Sequence, residues 1–337
     1  MHARRTASLI VAAVLAAGLA LSACSSTGST GGSGSPSNSA SNSASVGGSS
    51  SASVGSSSTS PSSESPSEST SGGSSSESIS NGPSTGTTAC SPADLKTKKP
   101  GTLTIATDQP VYEPWFVDND PANGKGFEGA VAYAVAQQLG YSKDQVTWMR
   151  ASFDSVISPA PKEFDFDINE FSITSQRAKV VDFSSGYYDV AQAVVTTKGS
   201  KIAGAKSLAD LKNATLGAQI GTTSLNAINN IIKPSVKPAV FTTNDDAVKA
   251  LQNGQIDGVV TDLPTAFYMS GAQLDNGVIV GQLPADTGQP EQFGLLIEKG
   301  SPITSCVSGA VDALRADGTL AKLAEQWLAQ AGAPELK

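Results

Sequence analysis

The sequence predicts an α/β fold that begins near Cys90 and follows a long segment unable to form a core. From residue 103 onward, short β-branched runs alternate with longer stretches of helical periodicity, which indicates strands and helices in alternation. Residues 25–89 are mostly Ser and Gly and contain no aromatic residue, so they lack the apolar surface that folding requires. The remaining part, of about 247 residues, suits one large domain or two small ones.

The N-terminus has the pattern of an export signal over residues 1–23. Arg4 and Arg5 precede an apolar run that starts at Leu9 and is shorter than the roughly 20 residues of a membrane-spanning helix. The run ends in Leu-Ser-Ala-Cys24, which resembles the lipobox of bacterial lipoproteins. That resemblance implies a diacylglycerol on Cys24 and a protein anchored to the outer face of the cell membrane. The alternative is an ordinary cleavage site followed by an incidental cysteine.

Residues 24–89 are predicted to be a disordered, Ser/Gly-rich linker. A flexible coil of that composition and length spans roughly 40–48 Å. Its only charged residues are Glu64, Glu68 and Glu77. Because the segment cannot form a core, it is expected to stay solvated. The linker therefore serves as a tether that holds the folded part clear of the membrane.

The ionisable residues exclude several classes of function. The single histidine, His2, lies in the predicted signal, so the mature chain has none for a Ser-His-Asp triad, a Cys-His pair or a His-ligated metal. The formal net charge is −8, whereas nucleic-acid binding requires clustered Lys and Arg. No Gly-x-x-x-x-Gly-Lys-Ser/Thr loop is present, so the chain is not itself an ATPase. We therefore expect no nucleic-acid partner, no cofactor and no metal.

The folded part retains two cysteines, Cys90 at its start and Cys306 near its end. An oxidising, extracytoplasmic location favours a disulfide between them. The alternative is two free thiols that are buried as small apolar side chains.

Each predicted element follows from its local pattern. Strands are predicted where β-branched and other apolar residues run together, at 103–106, 146–149, 193–196, 215–218 and 257–261. Helices are predicted where apolar residues recur at helical spacing, at 129–139, at 244–253 and from Gly318 onward. Gly140 and Gly254 stand where the first two of these helices should end. Ser207 and Asp210 have the spacing of a capping box, which opens a short helix.

A strand that ends in Ser172-Ile-Thr174 before polar residues predicts a strand-to-helix turn with Thr174 as N-cap. Arg177 would then lie in the first helical turn, where the helix dipole disfavours a cation. An Arg fork beside exposed turn amides is a good receptor for a carboxylate, because it can bond both oxygens. The alternative is an Arg that simply faces solvent.

The same stretch carries a family resemblance. Ser172-Ile-Thr-x-x-Arg177-Ala, followed by Val181-Asp-Phe-Ser and Tyr187-Tyr, resembles the family 3 solute-binding proteins, the extracytoplasmic amino-acid-binding proteins of ABC importers. Further matches follow in the family's order, among them Leu103-Thr-Ile-Ala-Thr-Asp108, Tyr112-Glu-Pro-Trp115-Phe, Gly126-Phe-Glu, Gly221-Thr-Thr-Ser224, Gly254-Gln-Ile-Asp257 and Asp317-Gly-Thr-Leu. Together they cover nearly all of residues 100–330.

The resemblance implies a type II periplasmic-binding-protein fold, in which two α/β lobes joined by two crossing segments hold the ligand in the cleft between them. On that basis lobe one comprises residues 91–191 plus 290–337, and lobe two comprises residues 192–289.

The resemblance also implies which residues bind the ligand. Arg177 would hold the α-carboxylate of an amino acid, helped by Ser172 and by Thr223 from the other lobe. Asp262 would pair with the α-ammonium, which the backbone carbonyl of Glu170 would share. The turn at Gly221-Thr222-Thr223 precedes a predicted helix at 225–232, so its amides suit an anion. Simple capping of that helix is the alternative role for Thr222 and Thr223.

Asp108, Tyr112, Trp115 and Phe153, with Thr222, are expected to form the side-chain pocket, because family counterparts of several of them line the cleft. The alternative for Trp115 and Phe153 is a place in the core. Glu170 occupies a position where the family commonly has a small residue. Its side chain therefore either points away from the cleft or contacts the side chain of the ligand. Asp108 and Glu170 together would favour a polar or cationic amino acid.

The expected function is that of a lipid-anchored receptor that captures an amino acid by lobe closure and delivers it to an ABC permease with its ATPase subunit. The family is usually monomeric, so we expect a monomer. A first alternative is an extracytoplasmic dehydratase of the same fold, with Glu170 as general acid or base. A second is a sensor subunit that passes the signal of ligand binding to another protein.

Overall fold

The computed structural model describes residues 90–286, 288–329 and 332–337. The predicted signal at 1–23, the lipidation site Cys24 and the rest of the linker to residue 89 lie outside the described residues. Within the described residues, the strands form two five-stranded sheets. None of the helices in this part of the chain is long and apolar enough to cross a membrane.

The first sheet has the strand order β2-β1-β3-β10-β4. Its strands are β1 (Leu103–Thr107), β2 (Val146–Arg150), β3 (Phe166–Asp167), β4 (Val181–Val190) and β10 (Glu291–Glu298). Strand β1 runs parallel to both β2 and β3, whereas β10 runs antiparallel to β3 and β4. The helices that pack with this sheet are α1 (Phe127–Gln138), α2 (Phe153–Val156), α6 (Thr304–Ala316) and α7 (Thr319–Trp327). We call this unit the first lobe.

The second sheet has the strand order β7-β6-β8-β5-β9. Its strands are β5 (Gln192–Thr197), β6 (Leu216–Gln219), β7 (Ala239–Phe241), β8 (Gly258–Asp262) and β9 (Gly277–Gln282). Strand β6 is parallel to β7 and β8, and β5 is antiparallel to β8 and β9. Its helices are α3 (Thr223–Ala227), α4 (Asn244–Gln252) and α5 (Leu263–Tyr268), and π-helical turns continue α3 over Ile228–Ile232 and α5 over Met269–Gln273. We call this unit the second lobe.

Two segments connect the sheets, from β4 to β5 through Ala191 and from β9 back to β10, and the C-terminal residues reach the second lobe again after α7. Each sheet has apolar clusters on its two faces. In the first lobe, Val131 and Val135 of α1 pack with Ile105 of β1, and Phe171 packs with Ala106 on the other side. These cores make each sheet a rigid base for the loops at its edge.

Most local predictions are confirmed. The helix predicted at 129–139 is α1, and Gly140 follows it with φ of 84°. The helix predicted at 244–253 is α4, followed by Gly254 with φ of 68°. The capping box forms, since Ser207 N donates to the Asp210 carboxylate at 3.0 Å and Asp210 N donates to Ser207 Oγ at 3.3 Å. It opens only a 3₁₀ turn at Ala209–Leu211.

The predicted strand-to-helix turn at Ser172–Arg177 is wrong in part. Thr174 Oγ1 does accept a hydrogen bond from Arg177 N at 3.1 Å. Only a 3₁₀ turn, Arg177–Lys179, follows, because β4 begins at Val181 and leaves too few residues for an α-helix. Ser172 makes an isolated bridge to Phe293 and is not part of a regular strand.

The assignment of all of 290–337 to the first lobe does not hold for the C-terminal residues. Helix α7 packs on the first-lobe core, but Leu336 is buried in the second-lobe core beside Leu283. Leu336 N donates to Gln282 O at 2.9 Å, and Gln282 N donates to Pro334 O at 2.8 Å. A Cβ on Gly281 would lie 2.6 Å from Pro334 O, so only glycine admits this approach.

Cys90 and Cys306 are joined by a disulfide in the structure. Cys306 lies in α6 and is 2% exposed, within the first-lobe core. The disulfide therefore ties the start of the described chain to a helix more than 200 residues away, since the sequence separation is 216.

Candidate functional site

A cavity with about 490 Å³ of empty volume lies between the two lobes. Residues of the first lobe that line it are Asp108, Pro110, Tyr112, Phe153, Asn169, Glu170 and Arg177. Residues of the second lobe that line it are Gln219, Thr222, Thr223, Asn244 and Asp262. Its lining combines aromatic side chains with a few fixed polar and charged groups, as small-molecule sites do.

Arg177 is the cation among these lining residues, and it is 8% exposed. Its Nη1 donates to Ser172 O at 2.8 Å, and its Nη2 donates to Gly221 O of the second lobe at 3.0 Å. The guanidinium carbon lies 5.4 Å from the centre of the Phe153 ring. Burial lowers the pKa of Arg177, but an arginine stays charged in a protein. Among the described ion pairs none involves Arg177, so this buried cation is suited to receive an anion.

Two hydroxyl groups lie beside this guanidinium, one from each lobe. Ser172 Oγ and Thr223 Oγ1 are 3.2 Å apart. Thr222 is the N-cap of α3 and accepts a hydrogen bond from Leu225 N at 3.2 Å, so its hydroxyl has a capping role as well as a place in the cavity wall. The structure thus brings Arg177, Ser172 and Thr223 together; Arg177 and Thr223 line the cavity, whereas Ser172 is buried and is not among its lining residues.

Asp262 ends β8 on the second lobe and faces the same cavity. Its Oδ1 accepts a 2.7 Å hydrogen bond from Gln192 Nε2. Burial, and secondarily the charge of Glu291, raises the pKa of Asp262 to about 8, although Gln192 and Arg177 act in the opposite direction. A cationic ligand group beside Asp262 would stabilise the ionised form of this carboxyl group and lower its pKa.

Glu170 is among the residues that line the cavity. Its backbone is left-handed, with φ of 53°, and its amide donates to Glu128 Oε1 at 2.7 Å. Its Oε2 accepts a 2.8 Å hydrogen bond from Thr265 of the second lobe. Burial, followed by the charges of Asp262 and Glu128, raises the pKa of Glu170 well above its usual range.

Of the four residues expected in the side-chain pocket, Asp108, Tyr112 and Phe153 line the cavity. Phe153 also stacks on Phe171 with ring centres 4.6 Å apart, so it belongs to the core as well. Burial raises the pKa of Asp108 and also that of Tyr112.

Trp115 is the exception, because it is 1% exposed and does not line the cavity. Its ring packs against Phe127, Tyr188 and Phe293 with centre distances of 5.6–6.0 Å. Placing Trp115 in the pocket was therefore wrong, and its alternative place in the core is correct.

Several residues of the site carry no local sequence signal. Gln192 and Glu291 lie where the two crossing segments meet their sheets, and Ser172 Oγ donates to Glu291 Oε2 at 2.9 Å. The other lining residues not predicted from sequence are Pro110, Asn169, Gln219 and Asn244.

The charges of the cavity are unbalanced. Asp108, Glu170 and Asp262 line it, and the fully buried Glu128 lies behind Glu170. Arg177 is the single opposing charge among the described lining residues. Burial raises the pKa of every carboxyl group that lines the cavity, so a cationic partner would stabilise the ionised form of each one. A ligand with one carboxylate and more than one cationic group would correct this imbalance.

Comparison with known proteins gives the family. Residues 103–330 match the model of the bacterial extracellular solute-binding proteins, family 3, and this chain belongs to that family. It is 28% identical over 211 residues to the ABC transporter arginine-binding protein 1 of Escherichia coli, covering 61% of this chain and 82% of that protein. It is 28% identical over 240 residues to the L-cystine-binding protein TcyJ of Escherichia coli, covering 69% and 84%.

Solved structures agree with the two-lobed fold. An ancestral arginine-binding protein bound to arginine is 33% identical, with a TM-score of 0.56, and the match covers 68% of this chain and 99% of that one. The ancestral amino acid-binding protein AncCDT-1, described as a precursor of cyclohexadienyl dehydratase, is 31% identical with a TM-score of 0.55, and the match covers 68% and 96%. The fold is therefore the type II periplasmic-binding-protein fold, and the protein is a solute-binding protein.

Proposed function

We propose that this protein binds an amino acid with a cationic side chain and delivers it to the permease of an ABC importer. The observation that carries the proposal is the charge arrangement of the cavity. Arg177 of the first lobe and Asp262 of the second lobe face the same space, in which the other ionisable side chains include Asp108 and Glu170. An amino acid offers one anion and one cation, and a cationic side chain offers a second cation.

The ligand would lie with its α-carboxylate on Arg177, beside the neighbouring hydroxyl groups of Ser172 and Thr223. Its α-ammonium would contact Asp262 and the backbone carbonyl of Glu170. Its side chain would extend among Asp108, Tyr112, Phe153 and Thr222, where Asp108 supplies a charge partner and Phe153 an apolar wall. Burying a charged side chain is tolerable only with such a partner, which is why the surplus carboxylates favour a cationic amino acid over an apolar one.

Capture would require closure of the lobes. Arg177 and Asp262 are on opposite lobes, so a ligand that engages both holds the lobes together. The Arg177 bond to Gly221 O shows how closely the lobes approach beside the cavity.

We also propose that Cys24 carries the lipid, that residues 24–89 are the tether, and that a monomer docks on the permease. The extracytoplasmic nature of the family and the transport role named for its relatives support this placement. Loss of ligand uptake in cells that lack this chain would support transport, whereas unchanged uptake with a lost response to the ligand would favour a sensor.

Thermal unfolding tests the ligand class. The chain from Ser25 onward is unfolded and refolded to remove bound ligand, then heated with each of the twenty amino acids, ornithine and citrulline. A ligand at about 100 times its Kd should raise the free energy of unfolding by about 2.7 kcal/mol. We expect stabilisation by arginine, lysine or ornithine, and Asp108→Asn should remove the preference for these over citrulline or glutamine. No stabilisation by any of them would contradict the proposal.

One observation favours a second candidate, the dehydratase. Glu170 lines the cavity, and burial raises the pKa of its carboxyl group well above its usual range, which is the direction that a general acid requires. The relatives are transport proteins, however, and we propose binding without chemistry. Turnover of prephenate or arogenate, lost in Glu170→Gln, would instead establish the enzyme.

A further inference from the structure

Three side chains form a hydrogen-bonded chain that crosses from one lobe to the other and back. Trp115 Nε1 of the first lobe donates to Thr265 Oγ1 of the second lobe at 2.8 Å. Thr265 Oγ1 in turn donates to Glu170 Oε2 of the first lobe at 2.8 Å. Thr265 lies in α5, three residues after Asp262, and was not singled out by its sequence.

The direction of both bonds is fixed by chemistry. An indole nitrogen can only donate, so Thr265 Oγ1 must accept from Trp115. The one hydroxyl proton of Thr265 is then free for the Glu170 carboxyl group. A single hydroxyl group therefore makes both bonds between the lobes, and replacing it with a methyl group removes both at once.

Two of the three residues of this chain, Trp115 and Thr265, lie outside the ligand site, whereas Glu170 is part of the cavity wall. Trp115 is 1% exposed and Thr265 is 4% exposed, and neither lines the cavity. The Trp115 ring is held by the first-lobe aromatic cluster, so it cannot follow the second lobe when the lobes part. Opening must therefore break both buried bonds and admit water to the indole.

We propose that Trp115, Thr265 and Glu170 form an interlobe latch, in which Thr265 is a positioning residue that slows opening of the closed protein. The latch also fixes the position of the Glu170 carboxyl group. Its effect on ligand release rests on the proposed function, whereas its existence as a contact between the lobes does not. Buried hydrogen bonds are costly to break when one partner is left unpaired, so loss of the latch should act mainly on dissociation.

The first test needs no assumption about the ligand. The full chain is labelled with ¹⁵N at the indole nitrogens of its three tryptophans. NMR then follows the exchange of each indole N–H with D₂O, first without ligand and then with about 10 mM L-arginine. Trp148 is an internal reference, because its Nε1 donates to Tyr133 OH at 3.1 Å within the first lobe. We expect slow exchange at Trp115 that becomes at least about tenfold faster in Thr265→Val, with no change at Trp148. Fast exchange at Trp115 of the wild type under both conditions would overturn the latch.

The second test measures ligand release. Stopped-flow displacement of L-arginine should show dissociation from Thr265→Val about tenfold faster than from the wild type, with association changed less than about twofold. Thr265→Ser keeps the hydroxyl group and should restore slow release. Thr242→Val, at an exposed position of the same lobe, is the matched control and should have no effect. Wild-type dissociation in Thr265→Val would refute the role of the latch.

If Thr265→Val loses its cooperative thermal transition, Trp115→Phe replaces it, since phenylalanine keeps an aromatic ring but has no N–H. Faster dissociation from Trp115→Phe supports the latch, and an unchanged rate overturns it. If the wild type binds no amino acid, the proposed function fails, and indole exchange alone decides whether the latch exists.

Discussion

Ser172 Oγ donates a 2.9 Å hydrogen bond to Glu291 Oε2, so a carboxylate of the protein lies next to the proposed receptor for the ligand's own carboxylate. Gln192 Nε2 also reaches this oxygen, at 3.3 Å. Like charges at such distances repel, and the repulsion is strong where water is excluded. Glu291 should therefore weaken amino-acid binding.

We expect Glu291→Gln to increase amino-acid affinity by about threefold to tenfold, because it removes the charge while keeping the shape. Isothermal titration calorimetry with L-arginine measures the effect. Glu163→Gln, at an exposed position of the first lobe, is the control and should leave the affinity unchanged. Weaker binding in Glu291→Gln would mean that the carboxylate helps the ligand.

Arg177→Ala should abolish binding, with affinity lowered at least about a hundredfold, because the ligand carboxylate loses a buried bidentate partner. Arg177→Lys should recover only part of the affinity, since an ammonium cannot form the same planar fork. Calorimetry measures both, and circular dichroism checks that the fold is intact. Lys179→Ala, two residues away and exposed, should bind normally. Wild-type affinity in Arg177→Ala would refute its assigned role.

The buried carboxyl groups predict opposite pH dependences for stability and for binding. The pKa of Asp262 is raised from 3.8 to about 8, so the folded, ligand-free protein holds a proton that the unfolded chain has already released. Between these two values the unfolded chain binds fewer protons, so the free energy of unfolding falls as pH rises. We expect a lower Tm at about pH 8 than at about pH 5.5, and a smaller difference in Asp262→Asn.

A cationic ligand stabilises the ionised carboxylates and lowers their pKa, so binding should release protons. Affinity should consequently increase as pH rises toward 8, the direction opposite to that of ligand-free stability. Calorimetry in two buffers of different ionisation enthalpy would count the protons. Proton uptake on binding would contradict the expected sign.

Leu336→Ala should destabilise the protein by about 2–4 kcal/mol, because it leaves a cavity in the second-lobe core. Leu336 is 1% exposed, whereas its neighbour Glu335 is exposed and supplies the control Glu335→Ala. Denaturant unfolding measures both variants. If Leu336→Ala matched the wild type, the C-terminal residues would contribute nothing to the second lobe.

Reduction should lower the thermal stability if Cys90 and Cys306 are bonded in solution. A disulfide that closes a long loop contributes about 2–4 kcal/mol by restricting the unfolded chain. Mass spectrometry of the denatured protein with a thiol-alkylating reagent, before and after reduction, identifies the bond. Alkylation of both cysteines without reduction would show two free thiols.

Helices and strands whose formation depends on residues close together in the sequence were predictable from the sequence alone. The periodicity of Val131 and Val135 with Gly140 located α1, and the apolar run at 257–261 located β8. The short motifs around Arg177 and Gly221, taken in order, were sufficient to identify the family. Their order and spacing along the chain are typical of a single fold.

Contacts between distant segments were not predictable in the same way. Trp115 was misplaced because an aromatic residue after a turn has the same pattern in a pocket and in a core, and only its packing against Phe293 distinguishes them. Thr265, Gln192 and Glu291 owe their roles to the meeting of the two lobes. Residues 332–337 contain a single buried leucine, Leu336. One apolar residue forms no periodic pattern, so its packing in the second lobe could not be predicted.

The disulfide has a mechanical consequence. A tensile force on the chain before Cys90 passes through the sulfur atoms into α6 and the first-lobe core, bypassing the short segment that leads to β1. The second lobe lies off this load path, because the segments that join it to the first lobe, from β4 to β5, from β9 to β10 and from α7 to the C-terminal residues, all lie beyond the first-lobe core. A force applied to the chain ahead of Cys90 would therefore be borne by the first lobe, and the segments that connect the two lobes would carry none of it.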